Sequence, residues 1–300
     1  MPDLSFVVEA GVKAFLYASI LLVVGASAVR WLLLPRIRIE AGSDAQTIER
    51  SAARVALVGA ALTVGLCVLR LWAHTLSAFG LDGARSWTSI RLVAVQSRWG
   101  HGWQQQVLAS TVLLVASGTS AVVRASWPLA TAAAIYYVST LPLLGHANGH
   151  AARMGLDVLH VLGAGCWLGT LAVVMAMRFS STNDDAGFAE RLGAIQTAML
   201  RRFSPVALSS AAAIVISGLV PAWIYVGSPT NLYSTRYGRI LLVKLGLVGL
   251  VGACGFVNWR RVRRAAGRTN QRPAALVTIE VCLAIAVVVV TAFLTEIGHP

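Results

Sequence analysis

The sequence predicts an all-α polytopic membrane protein with eight transmembrane helices. Hydrophobic residues make up 57 % of its 300 residues, only 12 % are charged, and the mean hydropathy is +0.71. A soluble domain of this size carries about 25 % charged residues. Apolar runs of about 20 residues, the length that crosses a bilayer, recur along the chain between short basic segments. We therefore expect a helical bundle surrounded by membrane lipid.

Each apolar run ends at a charged or polar segment, and these breaks set the expected limits of the helices. The predicted spans are Phe6–Leu34, Ala53–Ala78, Trp103–Val123, Trp127–Leu144, Met154–Met177, Phe203–Val226, Tyr237–Trp259 and Ala274–Glu296. Prolines stand near four of these limits, where a helix tolerates them. They are Pro35, Pro128, Pro205 and Pro273.

Arginines concentrate in alternate loops of this scheme. The first, third, fifth and seventh loops carry most of them, and the seventh begins with the pair Arg260 and Arg261. Basic loops mark the cytoplasmic side of a membrane protein, so we expect both termini on the outer side. The formal net charge of +13 lies in these short loops, which does not indicate a nucleic-acid partner.

The two halves of the chain show a weak internal similarity. An offset of 148 residues aligns Glu9 with Asp157, the first acidic residues of the first and fifth predicted helices. This match favours two four-helix halves, residues 1–145 and 146–300, within one membrane domain. Between the second and third helices, the loop Phe79–Gly102 is rich in tryptophan and is predicted to lie at the membrane interface.

All six histidines fall on the predicted outer side. They are His74, His101, His146, His150, His160 and His299. Imidazole is a common metal ligand, and ionisable residues inside a membrane segment indicate function. A set on one side therefore indicates chemistry at a single face of the membrane.

The densest group is His146, His150, Asp157 and His160. Asp157 and His160 are three residues apart and share a helix face, so the carboxylate is a candidate partner that orients the imidazole. His74 lies at a similar expected depth and is a further candidate ligand. Two alternatives stay open: the loop histidines are solvated, and His160 is a buried histidine with a structural hydrogen bond.

A polar layer is predicted at the depth of these histidines. It consists of Glu9, Lys13, Arg70, Lys244 and Glu296, all near the outer ends of their helices. The charges indicate either a network of ion pairs that lines a cavity or a site for an anionic group, such as the propionates of haem.

A series of short motifs gives the chain a family resemblance. In chain order they are Gly145-His146-Ala147, Asp157-x-x-His160, Cys166-Trp167-Leu168-Gly169, Arg202-Phe203-Ser204, Ser217-Gly218-Leu219, the run from Tyr237 to Lys244, and Ile279-Glu280. With these motifs the chain resembles the CopD family of bacterial inner-membrane copper-resistance proteins, most closely from His146 to Glu296.

The resemblance implies an eight-helix inner-membrane protein that takes copper from the periplasm, often from a CopC-type carrier, and passes it inward. We therefore expect a copper transporter and not an enzyme. Its metal ligands would be His146, His150, His160 and His74, with Asp157 behind them. The sequence lacks methionine-rich stretches on the predicted outer side, which favours histidine over methionine as the ligand.

Two other functions fit the same residues. A haem-binding oxidoreductase or haem-handling protein would use His74 and His160 as axial ligands of haem b. A non-transporting assembly or sensing subunit would bind a copper carrier through Phe79–Gly102. No nucleotide-binding motif of the form G-x-x-x-x-G-K-[ST] occurs, so ATP hydrolysis on this chain is not expected to drive transport.

Overall fold

A computed structural model describes residues 4–120, 122–145, 150–179, 186–264 and 274–297, and this part of the chain is helical throughout apart from short turns. We number the eight principal helices α1 to α8. They are α1 Leu4–Ala28, α2 Ala45–Arg85, α3 Arg98–Ser120, α4 Ser126–Thr140, α5 Ala151–Ala164, α6 Ala186–Val226, α7 Arg236–Arg264 and α8 Ala274–Glu296.

Two of these helices continue through a wider, π-helical turn. Helix α1 runs on through Val29–Leu33 into Leu34–Ala41, and α5 runs on through Gly165–Gly169 into Thr170–Phe179. Such turns occur often at functional sites. The second of them positions Trp167 beside the cavity that is described below.

Seven helices in the described part of the chain are long and apolar enough to cross a membrane. This finding confirms a polytopic helical membrane protein. The remaining principal helix, α3, has 23 residues but begins with a polar stretch that includes Gln104, Gln105 and Gln106. The prediction of eight spans therefore stays a prediction, as does the side of the membrane on which each terminus lies.

The first helix lies at the centre of the bundle. Helix α1 packs against α2, α8, α4 and the turn Gly165–Gly169. Its residues Leu16, Ile20 and Val23 are completely buried. In contrast, α7 exposes most of its apolar surface, as expected for a helix in contact with lipid.

A glycine pair allows the closest helix contact near the site. A Cβ atom on Gly25 of α1 would overlap the backbone of Gly169, and one on Gly169 would overlap the carbonyl oxygen of Leu21. Only glycine lets the two backbones approach this closely. The π-helical turn and its tryptophan are thereby fixed against the central helix.

The predicted interface segment is also helical. Helix α2 bends at Gly80, whose φ of 70° favours glycine, and ends at Arg85. Two short turns, Trp87–Arg91 and Leu92–Gln96, then lead into α3. Trp87 is among the most exposed large side chains, as expected for an anchor in the headgroup region.

Candidate functional site

A cavity of about 290 Å³ opens between α1, α5, α6, α7 and α8. Most of its lining is apolar. Its charged and titratable lining residues in the described part of the chain are Lys13, Tyr17, Arg70, Asp157, His160, Tyr225, Tyr237 and Lys244. The cavity therefore brings together five of the residues that the sequence singles out, from four different helices.

His160 is held on α6 through one ring nitrogen. Its Nδ1 atom lies 3.1 Å from the carbonyl oxygen of Ile214 and 3.1 Å from the hydroxyl oxygen of Ser217. A carbonyl only accepts hydrogen bonds, so Nδ1 carries the proton and donates it. In the neutral ring Nε2 then keeps its lone pair, which is the arrangement of a histidine prepared to bind a metal.

Two small features of α6 position this ring. The Ser217 hydroxyl donates to the carbonyl of Ala213 at 2.5 Å, which leaves its oxygen free to accept from Nδ1. A Cβ on Gly218 would lie 3.1 Å from Cε1 of His160, tighter than an ordinary contact. The motif Ser217-Gly218 thus supplies a hydrogen-bond acceptor and the space for the imidazole.

Asp157 lies on the same face of α5 as His160 and also lines the cavity. The Nδ1 contacts of His160 come from α6 rather than from Asp157. The charged group that acts on Asp157 is Lys244 of α7. The carboxylate is therefore placed to meet the contents of the cavity directly.

The three basic residues of the cavity have different partners. Lys13 forms an ion pair with Glu296, which lies at the end of α8. Arg70 is buried and donates from Nη1 to the amide oxygen of Gln106 at 3.0 Å. No carboxylate in the described part of the chain lies within 4 Å of Lys244. Arg70 and Lys244 thus line the cavity with Asp157, and no ion pair within 4 Å includes either of them in the described part of the chain.

His74 occupies a different environment. Its Nδ1 atom lies 3.0 Å from a carboxylate oxygen of Glu9, and its ring stacks on Trp99 with the centroids 4.0 Å apart. His74 is not among the residues that line the cavity. The polar layer consequently has two parts: the cavity with Lys13, Arg70 and Lys244, and the neighbouring pair of Glu9 and His74.

Of the remaining histidines, the two that the structure describes, His101 and His150, do not line the cavity. His150 is exposed just before α5, His101 is exposed in the first turn of α3, and His146 and His299 lie outside the described residues. Among the residues that the structure describes, no three His, Cys, Asp or Glu side chains lie together as a metal site. The cavity thus offers one imidazole and one carboxylate within a mainly apolar wall.

Sequence reasoning missed two polar residues of this region. Tyr17 lines the cavity one helical turn from Lys13, and that spacing on α1 was the available signal. The role of Ser217 was also missed, because no sequence pattern shows that α6 packs against the imidazole of α5. The motif Ser217-Gly218-Leu219 was noted for the family resemblance, but it did not predict that Ser217 contacts His160.

Two comparisons relate the chain to known proteins. Residues 197–294 match the family model of copper resistance protein D. The copper transport protein CutJ of Bacillus subtilis (strain 168) is 28 % identical over 275 residues, which is 86 % of this chain and 48 % of that protein. The chain thus spans about half the length of this curated relative, and no solved structure matches it significantly. The comparisons support the resemblance to the CopD family, and the family model matches residues 197–294.

Proposed function

We propose that this protein carries copper across the bacterial inner membrane through the central cavity, from the periplasm towards the cytoplasm, with His160 as a metal ligand. The relation to copper resistance protein D and to a copper transport protein supports copper as the substrate. The single observation that carries the role of His160 is its anchored Nδ1, which leaves Nε2 as a lone-pair donor in a cavity.

The two histidines before α5 are proposed to act earlier on the path. His150 is exposed and stands ten residues before His160, about 15 Å along a helix. His146 belongs to the same loop by sequence. Histidines on this loop would take copper from solution or from a CopC-type carrier, and His160 would receive it inside the bundle.

The basic residues of the cavity oppose the entry of a copper cation, so this function requires a negative charge near His160. Arg70 and Lys244 repel a bare cation, and Asp157 is the carboxylate that opposes them in the cavity lining. Asp157 is therefore proposed to lower the cost of bringing copper to His160. His74, which is paired with Glu9 and stacked on Trp99, is proposed to stabilise the helices around the cavity rather than to bind copper there.

Copper uptake into vesicles tests the proposal. The purified protein is reconstituted into liposomes, and copper accumulation is followed for the wild type, His160→Ala and His101→Ala. We expect loss of uptake in His160→Ala and wild-type uptake in His101→Ala, since His101 is exposed and does not line the cavity. Equal uptake by the wild type and His160→Ala would remove His160 from the path. No uptake by the wild type would instead favour an assembly or sensing subunit.

Haem binding has one observation in its favour. The basic residues that line the cavity are suitable partners for propionates. The expected axial pair of His74 and His160 does not face one cavity, however, because His74 is engaged with Glu9 and Trp99. An absorbance spectrum of the same purified sample separates the two functions, since a Soret band would identify haem.

A further inference from the structure

A carboxylate is buried in the middle of the bundle, away from the proposed copper ligands. Glu280 of α8 is only 2 % exposed, and its Oε1 atom accepts a hydrogen bond from Nε1 of Trp167 at 3.2 Å. No ion pair in the described part of the chain includes Glu280. An ionised carboxylate at such a position is costly, so the neutral acid is the favoured form at rest.

Glu280 lies one helical turn beyond the end of the cavity. The lining residues of α8 follow one face of the helix and end at Ala284, which is four residues after Glu280. Those of α7 end at Val251, and four residues later comes Gly255, whose added Cβ would lie 3.3 Å from the Glu280 oxygen. Glu280 therefore lies directly beyond the cavity, on the faces of α7 and α8 that line it.

Trp167 separates the cavity from Glu280. Its side chain lines the cavity, while its indole nitrogen donates to the carboxylate. The residue belongs to the π-helical turn Gly165–Gly169, which is held against α1 by the close approach of Gly169 to Gly25. The tryptophan ring is thus attached to a fixed backbone, and its contact with Glu280 closes this end of the cavity.

Among the described side chains, no charged group of a neighbouring helix forms an ion pair with Glu280. Helix α8 packs against α7, α1 and Thr170–Phe179. Lys244 of α7 stands eleven residues from Gly255, about 16 Å along the helix. Lys13 of α1 is paired with Glu296 at the other end of α8, and Arg30 of the following turn Val29–Leu33 is paired with Glu49.

The other titratable groups near this level are thiols. Cys254 precedes Gly255 on α7, Cys166 precedes Trp167 in the π-helical turn, and Cys282 lies two residues from Glu280 on α8 itself. No hydrogen bond or ion pair joins these described residues to Glu280. The carboxyl group is thus the single acid beneath the indole in this part of the described structure.

We propose that Glu280 is a proton-binding site that exchanges its proton as copper passes, with Trp167 as the gate between this site and the cavity. The inference rests on the proposed copper transport. Copper approaching Glu280 from the periplasmic side favours the ionised carboxylate, so the acid releases its proton to water on that side as the cation arrives. When copper leaves towards the cytoplasm, the carboxylate takes a proton from water on the cytoplasmic side. No electron is transferred, and one proton moves outward for each copper ion that moves inward.

The test measures copper and protons in the same liposomes. Copper(II) chloride, or copper(I) kept reduced with ascorbate, is added outside, and a pH-sensitive dye reports proton movement. We expect copper uptake by the wild type to be accompanied by proton movement and to change with an imposed pH gradient. Glu280→Gln should abolish the proton signal and the dependence of uptake on the gradient, while the purified variant still binds copper through His160 in the cavity.

The gate is tested by a matched pair of tryptophan variants. Trp167→Phe removes the indole donor but keeps an aromatic ring, and it should allow proton movement without copper. Trp127→Phe is the control, because Trp127 is fully buried in the core and its indole nitrogen has no hydrogen-bond partner in the described structure. It should behave as the wild type in both copper and proton movement.

An infrared measurement gives a readout that does not depend on transport. Copper added to the wild type should remove the carbonyl band of a protonated carboxylic acid, and this band should be missing from Glu280→Gln. Copper-linked proton movement that persists in Glu280→Gln would overturn the inference and leave the proposed transport intact. Absence of any copper uptake by the wild type would overturn both.

Discussion

His160 and Gly218 fit together across the contact between α5 and α6. The Cβ that Gly218 lacks would lie 3.1 Å from Cε1 of the imidazole and 3.4 Å from its Nδ1. The same turn of α6 supplies the two oxygen atoms that accept from Nδ1. One helix turn therefore sets both the position and the protonation pattern of the histidine that we propose as the copper ligand.

Replacing Gly218 with alanine should weaken copper binding. The added methyl group would push the ring away from Ile214 and Ser217, so we expect the copper affinity to fall about tenfold, or about 1.4 kcal/mol. Gly246→Ala is the matched control, because nothing lies within 4 Å of an added Cβ on this glycine of α7. Titration of both purified variants with copper checks the prediction. Equal affinities in the two variants would show that the fit to Gly218 does not govern binding.

Removing the positive charge of Lys244 should strengthen copper binding. Lys244 lines the cavity with His160 and has no carboxylate within 4 Å in the described part of the chain. A like charge a few ångströms from a bound cation costs on the order of 1 kcal/mol or more. Lys244→Met should therefore bind copper about tenfold more tightly, whereas Lys244→Arg, which keeps the charge, should not. Weaker binding by Lys244→Met would mean that the cavity holds copper together with an anionic partner.

The ion pair between Lys13 and Glu296 should stabilise the contact of α1 with α8. Both side chains are largely buried, so Glu296→Gln leaves an uncompensated charge in the bundle. Loss of one partner of a buried pair costs about 3–5 kcal/mol. We expect a marked drop in the thermal unfolding temperature in detergent. The double variant Lys13→Met with Glu296→Leu should recover most of it, and a double variant as unstable as Glu296→Gln would contradict this explanation.

His74 should contribute to stability more than to copper binding. Its hydrogen bond with Glu9 joins α2 to α1, and its stacking on Trp99 joins α2 to α3. Aromatic pairs of this kind contribute about 0.5–1.5 kcal/mol beyond their buried area. His74→Ala should lower the unfolding temperature while the copper affinity changes less than about threefold, under 1 kcal/mol. Loss of copper binding in a folded His74→Ala protein would return His74 to the set of ligands.

Composition and apolar run length were sufficient to predict the fold class. Seven helices that could span the membrane correspond to predicted spans, since each consists of a long apolar run between polar segments. The limits were less accurate: α2 begins at Ala45, eight residues before the predicted Ala53, and α6 begins at Ala186. Helices that project beyond the apolar region continue through polar residues. Their ends therefore cannot be predicted from hydropathy alone.

The sequence predicted the depth of the candidate site residues in the membrane, but it did not predict which of them contact one another. Charge and histidine positions placed Lys13, Arg70, Asp157, His160 and Lys244 at one level, and the cavity brings these five residues together. The same reasoning could not separate His74 from them. Helix packing order decides that His160 faces α6 and that His74 faces Glu9, and this order is a property of interhelical contacts that one sequence does not display.

X-ray absorption spectroscopy at the copper edge tests the central claim most directly. Wild-type protein loaded with one equivalent of copper should show scattering from an imidazole ring. The variants are compared in a background of His146→Ala and His150→Ala, because these loop histidines are proposed to capture copper. In that background the signal should be lost in His160→Ala and retained in His101→Ala. An imidazole signal that persists unchanged in a folded, copper-loaded His160→Ala protein would contradict the assignment of His160 as the copper ligand.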